Sequence, residues 1–251
     1  MIETRQLLRT LYLDRLRYLG EAVHGVSGLS HPLLIDPEAH RYSAASRRLM
    51  VVGQETFGWG DGNWNGSSGS DLVDRLLRCY GEFDLGRNRK IMPRKSPFWI
   101  AAHQINERLN PGESAGFLWS NLYKVDQAQA PRRRHRPTPE VERALLTEFN
   151  VLPREIELAR PCAAVFFTGP NYDGMLAATF PNVRWSAIPD LGADAAQFVV
   201  RLEHPGLPIT TIRSYHPAYL WRKKQRNLIG RIAEWIAAET SRVEDGRQRP
   251  H

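Results

Sequence analysis

The chain has 251 residues, 42% of them hydrophobic, and a formal net charge of +7, which predicts a single globular domain and excludes a disordered or fibrous protein. Its two cysteines, Cys79 and Cys162, exclude a disulfide framework and an all-cysteine zinc or iron–sulphur site, and we expect no metal and no cofactor. No uncharged apolar run is long enough to span a membrane, and six charges among the first twenty residues argue against a secretory signal, so we expect a cytoplasmic protein.

The first predicted elements are a helix, a buried strand and a loop that leads into a second helix. Residues 4–24 repeat leucine at helical spacing, and the apolar run at 48–53 predicts a strand that ends in glycine. A loop rich in glycine, asparagine and tryptophan follows at 57–70, and Ser70 or Asp71 caps the next helix.

Helices and strands continue to alternate along the rest of the chain. A helix begins at Ser96 with proline in its first turn, and another begins at Thr138 and is interrupted by Pro153. An amphipathic helix over 222–240 is the last element. Because apolar strands alternate with helices, we expect a parallel sheet covered by helices on both faces. The further strands are predicted at 117–123, 162–167, 183–188 and 209–214.

We expect a single domain over residues 1–251. An N-terminal helix and lead-in would occupy 1–46, the core would occupy 47–240, and a polar, frayed tail would occupy 241–251. The sequence contains no internal repeat and no low-complexity tract that would indicate a second unit.

Polar side chains follow the predicted strands at their carboxyl ends, where ligands bind in sheets of this kind. A carboxylate there can orient a water, an amide can read the edge of a nucleobase, and a histidine can donate a hydrogen bond to an anionic leaving group. Each also has a structural alternative, namely a cap, an amide paired with loop backbone, and a buried structural histidine. The residues at these strand ends are Gln54, Glu55, Asn121, 169–173, Tyr215 and His216.

The basic residues are divided unevenly, with five lysines and 29 arginines. The planar guanidinium group suits phosphate, so this bias favours a nucleic-acid partner. An arginine-biased genome would produce the same composition without any nucleic-acid role.

Five segments, spread over about 47–236, resemble the motifs of the uracil-DNA glycosylase superfamily in the expected order. The third and fourth of them are similar to the iron–sulphur branch of the superfamily and its relatives. The resemblance implies a three-layer αβα fold with a central, mainly parallel four-stranded sheet. The segments are Gly-Gln-Glu at 53–55, Ser-Asn-Leu-Tyr-Lys at 120–124, Arg-Pro-Thr-Pro-Glu at 136–140, Arg-Glu-Ile-Glu-Leu-Ala-Arg-Pro at 154–161 and Ser-Tyr-His-Pro-Ala-Tyr-Leu at 214–220.

The resemblance implies roles for the strand-end residues. His216 would stabilise the anionic O2 of the departing base, and Glu55 takes the position of a water-activating aspartate. Asn121 would read the flipped base, with Gln54 beside it. Glu55 and His216 are therefore the expected catalytic pair, and Gln54 and Asn121 are expected to bind the base.

Aromatic and basic residues near these motifs complete the expected DNA site. Leu220 falls where the superfamily inserts a leucine wedge into the duplex, and core packing before the last helix is the alternative. The arginines after the asparagine strand form a phosphate-contacting loop or a solvated charge run. The candidates to stack on the base are Trp59, Trp64 and Phe98. The candidates to contact DNA are Lys124, Arg132, Arg133, Arg134, Arg136, Tyr219, Leu220 and Arg222.

The sequence departs from the superfamily pattern in ways that affect the substrate. Glu55 is one methylene longer than the usual aspartate, and the cluster cysteines are absent, so no iron–sulphur centre is expected. Thr56-Phe57 stands where the uracil-specific branch has Pro-Tyr, whose tyrosine blocks substituents at C5 of the base. The loop over 58–66 is longer and more polar than a uracil gate needs. Its tryptophans either stack on a sugar or other bulky C5 group, or pack on the protein body.

We expect a monofunctional DNA glycosylase that flips a pyrimidine and hydrolyses its N-glycosidic bond to leave an abasic site. No lysine matches a Schiff-base nucleophile, so no strand cleavage is expected. The favoured substrate is a bulky C5-modified cytosine of phage DNA, which would make the protein an antiviral defence enzyme. Uracil, and hence base-excision repair, is one alternative, and a DNA-binding module without catalysis is another. The expected partner is duplex or single-stranded DNA, with no membrane and no obligate protein partner.

Overall fold

The computed structural model describes residues 2–86, 96–113, 116–130 and 133–248, which form an α/β fold. No helix in these ranges has the length and apolar character needed to cross a membrane. The helices are α1 (Ile2–Ala22), α2 (Ser70–Glu82), α3 (Pro97–Leu109), α4 (Pro139–Glu148), α5 (Leu152–Ala159), α6 (Asp173–Thr179), α7 (Pro217–Arg222) and α8 (Leu228–Gln248). The strands are β1 (Leu49–Gly53), β2 (Leu118–Asn121), β3 (Gln127–Ala130), β4 (Arg133–His135), β5 (Ala163–Phe166), β6 (Arg184–Ser186), β7 (Val199–Glu203) and β8 (Thr210–Ser214).

Six of these strands form one mixed sheet in the order β2-β1-β5-β8-β7-β6. The first four run parallel to one another, whereas β7 and β6 pair in antiparallel fashion. The expectation of a four-stranded, mainly parallel sheet is therefore wrong, because β7 and β6 extend it through two antiparallel pairings. The sequence does not predict β7, since this strand is only partly buried and its residues, Val-Val-Arg-Leu-Glu, form no continuous apolar run.

The parallel part of the sheet brings four strand ends to one edge. Gly53 of β1 pairs with Asn121 of β2, and the register continues through Val52, Phe166 and Arg213 into β5 and β8. All four strands are buried along their whole length, as expected for strands covered on both faces. The polar residues that follow these strands therefore meet at the same edge.

The helices pack in two groups. One group consists of α3, α7 and α8, in which α3 contacts both of the others, and α8 also contacts β8. The other group forms around α1, which contacts α2, α4 and α5 and buries Leu8, Tyr12, Leu16 and Leu19. A sheet with two groups of helices is compatible with a three-layer αβα fold.

Three segments differ locally from the sequence-based expectation. Arg133 and Arg134 of the arginine-rich segment belong to β4, which pairs with β3 in a two-stranded antiparallel sheet, and not to a simple loop. Pro153 lies in the first turn of α5, where its missing N–H needs no partner, so it begins a helix instead of interrupting one. The tail expected to fray from residue 241 is helical as far as Gln248.

Candidate active site

A pocket of about 490 Å³ lies at the carboxyl edge of the parallel strands. The strand ends thus bring a carboxylate, an amide and an imidazole to one cavity. The residues of the sequence-based site that line it are Gln54, Glu55, Trp59, Phe98, Asn121 and His216. The remaining lining residues are Gly53, Thr56, Phe57, Phe83, Ser96, Trp99 and Trp119.

The amide of Asn121 is fixed at the pocket wall. This residue ends β2, is only 1% exposed, and its Oδ1 accepts a hydrogen bond from Trp119 Nε1 at 3.1 Å. Because an indole N–H can only donate, this bond determines which way the amide faces. Asn121 Nδ2 has no hydrogen-bond partner among the described residues, so a buried donor remains for an acceptor on a ligand.

Gly53 provides the space that this amide occupies. A Cβ at position 53 would lie 2.3 Å from Asn121 Oδ1 and 3.3 Å from Phe98 Cε2. Both separations are shorter than ordinary van der Waals contact. Glycine is therefore required at the end of β1 for close approach of a neighbouring side chain.

Gln54 connects the pocket to the next strand of the sheet. Its Nε2 donates a hydrogen bond to the carbonyl of Thr168, beyond the end of β5, at 2.8 Å, and its own carbonyl accepts from Tyr123 N–H at 2.9 Å. With its amide nitrogen engaged in this way, Gln54 helps to hold the strand ends together at the pocket floor.

Glu55 is a partly buried carboxylate with one short hydrogen bond. Tyr172 donates its phenolic proton to Glu55 Oε2 at 2.5 Å. Burial raises the pKa of Glu55 against the lowering effect of this bond, and the charge of Asp126 raises it further. Glu55 therefore changes its charge at a higher pH than an ordinary glutamate, as is typical of carboxylates that take part in catalysis.

Arg136, expected to contact DNA, is engaged within the protein. Its guanidinium forms an ion pair with Glu142 and lies 5.1 Å from the ring centroid of Tyr123 and 5.4 Å from that of Tyr172. Cation–π contacts of this kind hold the aromatic ring against its neighbour. Arg136 thus supports the tyrosine that bonds to Glu55, and a phosphate would have to compete with Glu142 for it.

His216 is held as a neutral hydrogen-bond donor. It precedes α7, its Nδ1 accepts a hydrogen bond from Ala218 N–H at 3.2 Å, and its ring stacks on Phe98 at 5.8 Å between centroids. Burial, and after it the charge of Arg222, lower the pKa of His216 to about 4. The ring is therefore neutral at pH 7, and because Nδ1 accepts, the proton lies on Nε2.

A buried carboxylate fixes the turn that follows Glu55. Asp126 Oδ2 accepts hydrogen bonds from Thr56 Oγ1 and Gly58 N–H, both at 2.7 Å, and Asp126 itself is fully buried. Phe57 lies between the two bonded residues and lines the pocket, yet its side chain is 81% exposed. The turn is thus tied on both sides of an exposed aromatic ring.

Aromatic rings make up much of the pocket wall. Between ring centroids, Trp119 lies 5.3 Å from Trp59 and 5.1 Å from Trp99, and Phe83 lies 5.7 Å from Trp59, all in edge-to-face contact. The sequence-based site contains only Trp59 of these four. A signal for Trp119 is present, because it lies two residues before Asn121 on β2 and therefore faces the same side.

Two residues expected at the base or in the duplex are buried elsewhere. Trp64 is 2% exposed, its Nε1 donates to the Ser67 carbonyl at 2.8 Å, and its backbone pairs with Leu29, so its expected stacking on the base is wrong. Leu220 is fully buried within α7, so its expected role as a duplex wedge is also wrong. Both side chains pack into the hydrophobic core, the alternative that their apolar character already allowed.

Lys124 is a buried structural cation, and the expected DNA contact is wrong. Its Nζ lies 2.5 Å from Glu155 Oε2 and 2.5 Å from Ser120 Oγ, and its side chain is 3% exposed. Tyr12 donates a hydrogen bond to the other oxygen of Glu155 at 2.8 Å. A buried charge is stable in this setting because it is paired and hydrogen-bonded.

The other basic candidates differ in how far the structure describes them. Arg222 is exposed on α7, with its guanidinium 5.8 Å from the ring centroid of the half-buried Tyr219. Arg133 and Arg134 belong to β4, and Arg132 lies outside the described residues. Three further exposed cations follow Arg222, namely Lys223, Lys224 and Arg226. No described acidic residue forms an ion pair with any of these four side chains.

Comparison of the sequence with family models and with curated proteins identified no relative. A scan against protein-family models found no match, and a search among curated proteins found no matching sequence. Across the described parts of the chain, the His, Cys, Asp and Glu side chains form no group of three or more that could hold a metal ion.

Proposed function

We propose that the protein is a monofunctional DNA glycosylase of the uracil-DNA glycosylase type, which flips a pyrimidine and hydrolyses its N-glycosidic bond. The observation that carries the proposal is that Glu55, Asn121 and His216 line one pocket. Cleavage of this bond needs an oriented water, a grip on the base and a group that stabilises the leaving anion. The three residues supply one function each, in a compartment at the carboxyl edge of the sheet where ligands bind.

His216 stabilises the departing base. When the bond between the sugar C1′ and the ring nitrogen breaks, both electrons leave with the base, and negative charge develops on its O2. The neutral imidazole donates its Nε2 proton in a hydrogen bond to that oxygen. Its pKa of about 4 keeps the ring neutral over the physiological range, so the donor is present without a competing change in charge.

Glu55 acts on the sugar side of the same bond. As a carboxylate it orients the water that attacks C1′ and offsets the positive charge of the oxocarbenium-like sugar. The hydrogen bond from Tyr172 favours this ionised form and fixes one carboxylate oxygen. The water oxygen becomes the new substituent at C1′, and its proton passes to the carboxylate and then to solvent.

Asn121 holds the base. Its free Nδ2 donates to an acceptor on the base edge, while the lone pair of Oδ1 not used by Trp119 can accept from a ring or exocyclic N–H. Because the amide is buried and its orientation is fixed, a base without a matching acceptor would leave the donor unsatisfied.

The dimensions of the pocket favour a base with a large C5 substituent. A cavity of about 490 Å³ lies in the range of sites that bind drug-sized ligands, and a bare pyrimidine would leave much of it unfilled. By the resemblance, Phe57 stands in the position of the tyrosine that blocks C5 in the uracil-specific branch, and its side chain is exposed to solvent. Trp99 and Trp119 add aromatic surface to the pocket lining, which suits a sugar ring. We therefore favour a hypermodified cytosine of phage DNA, and antiviral defence as the role.

Uracil in base-excision repair is the second candidate. The amide of Asn121 offers a donor and an acceptor to an edge that uracil also presents. The pocket walls do not exclude the smaller base, so the two substrates differ in how well they fill the cavity.

The test is a base-release assay on matched oligonucleotides and genomic DNA that contain uracil, hydroxymethylcytosine or glucosylated hydroxymethylcytosine. Abasic sites are scored as breaks that appear only after alkali. We expect release of the bulky base, and a rate roughly 100- to 1,000-fold lower in Glu55→Gln and in His216→Ala. Glu21→Gln and His24→Ala change exposed residues of the same types, and these matched controls should retain the full rate.

Each outcome selects one function. Release of glucosylated hydroxymethylcytosine alone would support the defence role, and release of uracil alone would support repair. A protein that binds DNA but releases none of these bases would contradict the glycosylase and leave a DNA-binding module.

A further inference from the structure

We propose that Phe57 enters the base stack of duplex DNA and fills the gap left by the extruded nucleotide. This proposal rests on the proposed function, because it assumes that a base leaves the duplex to reach the pocket. It assigns the wedge to the turn after β1 and replaces Leu220, which is fully buried and cannot reach a duplex.

The exposure of Phe57 sets it apart from the other rings of the site. Its side chain is 81% exposed, whereas Phe98, Trp99 and Trp119 are each 7% exposed. Two other apolar side chains in the described structure, Leu7 and Ile209, reach only 43% and 52% exposure. Covering an isolated, solvent-exposed aromatic ring at the edge of a pocket with another molecule is favourable, because it removes a large apolar surface from water.

The backbone that carries this ring is held in place. Thr56 on one side and Gly58 on the other both bond to the fully buried Asp126 carboxylate at 2.7 Å. Phe57 therefore projects from a turn that does not need to be ordered on binding. A preorganised apolar side chain is what duplex-distorting proteins insert between base steps.

Phe57 also lies close to the proposed catalytic carboxylate. It is two residues after Glu55 and lines the same pocket, so the base that enters the pocket leaves its stack beside the ring. Extruding a base costs the energy of unstacking, and a ring that takes its place compensates for part of that cost. The alternative is that the same ring closes over the bound base as a lid. A lid would matter equally for duplex and single-stranded DNA, whereas a wedge matters only for the duplex.

The first experiment compares base release from duplex and single-stranded oligonucleotides of one sequence. We expect Phe57→Ala to lower the duplex rate roughly ten- to a hundredfold and to leave the single-strand rate within about twofold, because only the duplex has a gap to fill. Phe57→Leu should retain most of the duplex rate, since it remains an apolar wedge. Ile209→Ala is the matched control, because Ile209 is exposed and precedes β8 at the end of the strand away from the pocket.

The second experiment needs no turnover. The probe is a duplex with a tetrahydrofuran abasic site next to 2-aminopurine, whose fluorescence reports stacking. Saturating natural-sequence protein should change this fluorescence, and Phe57→Ala should abolish the change while Ile209→Ala retains it.

Equal loss of both rates in Phe57→Ala would indicate a lid and overturn the proposal, as would unchanged rates. Bound protein that does not alter the 2-aminopurine signal would also overturn it. If the natural sequence releases no base but alters the signal through Phe57, insertion is supported and the proposed function alone fails.

Discussion

Replacing Gly53 with alanine should disable the pocket without removing any of its chemical groups. The new Cβ would lie 2.3 Å from Asn121 Oδ1, roughly 1 Å closer than ordinary contact allows. Asn121 is buried, so its amide has no solvent to turn into. We expect it to give up the hydrogen bond from Trp119 and to push β2 away from β1.

The magnitude follows from three contributions. Overpacking of this kind costs about 1–3 kcal/mol. Loss of the acceptor for the buried Trp119 N–H costs a further ~1–3 kcal/mol. The lower entropy of the unfolded alanine chain offsets about 0.4–1 kcal/mol. We therefore expect the free energy of unfolding to fall by about 1–5 kcal/mol and base release to fall roughly ten- to a hundredfold.

Urea unfolding followed by tryptophan fluorescence measures the first quantity, and the abasic-site assay measures the second. Gly81→Ala is the matched control, because it lies in α2 and an added Cβ there has no neighbour within 4 Å. It should raise the free energy of unfolding by about 0.5–1 kcal/mol, the usual gain for alanine over glycine in a helix. A Gly53→Ala protein with normal stability and normal base release would refute the packing argument.

Three more changes test other parts of the molecule. Lys124→Met should lower the free energy of unfolding in urea by about 3–5 kcal/mol, because Glu155 stays buried without its cation. Replacing both Lys124 and Glu155 with methionine should recover part of the lost stability. A single Lys124→Met variant as stable as the natural sequence would contradict a buried ion pair at this position. Tyr172→Phe should move the acid limb of the pH–rate profile to higher pH, because the lost hydrogen bond no longer lowers the pKa of Glu55. An acid limb at the same pH would show that Tyr172 does not tune a catalytic Glu55. Lys223→Gln should weaken binding to all DNA sequences alike and reduce the slope of log Kd against log salt by about 1, and a slope equal to that of the natural sequence would place Lys223 outside the interface.

The buried parallel strands were the most predictable part of the fold. A strand covered on both faces is apolar throughout, so the runs at 48–53 and 162–167 indicate β1 and β5 to within a residue or so. The antiparallel extension was not predictable in the same way, because β7 is held by backbone pairing and mixes charged with apolar residues. The six-stranded sheet differs from the expectation for this reason.

The residues of the candidate site also differ in how far the sequence could predict them. Position along a strand determines which edge a residue reaches, so Glu55, Asn121 and His216 could be grouped from the sequence. Phe83 and Trp99 could not, because they reach the pocket from the end of α2 and from α3, and only tertiary packing shows what those elements face.

Charge alone also misled the prediction for the basic residues. Lys124 was expected to contact DNA as a basic residue near the Ser-Asn-Leu-Tyr-Lys motif, and lysine is usually exposed. Its burial depends on Glu155, which belongs to a separate helix, α5, and the pairing of the two is not visible in the sequence. The partners of Arg136, Glu142 and Tyr172, also come from later elements, whereas the expected contact of Arg136 with DNA stays a prediction.

The unpartnered donors in the pocket link ligand occupancy to folding. Asn121 Nδ2 and Trp59 Nε1 are buried without an acceptor among the described residues, and each such group destabilises a fold by about 1–3 kcal/mol. A ligand that brings acceptors removes this strain from the native state, so occupancy raises the melting temperature by mass action. Under the proposed function, the excised base would keep the same acceptors after the bond is broken. We therefore expect the free base to raise the melting temperature as well, and to inhibit base release as a product.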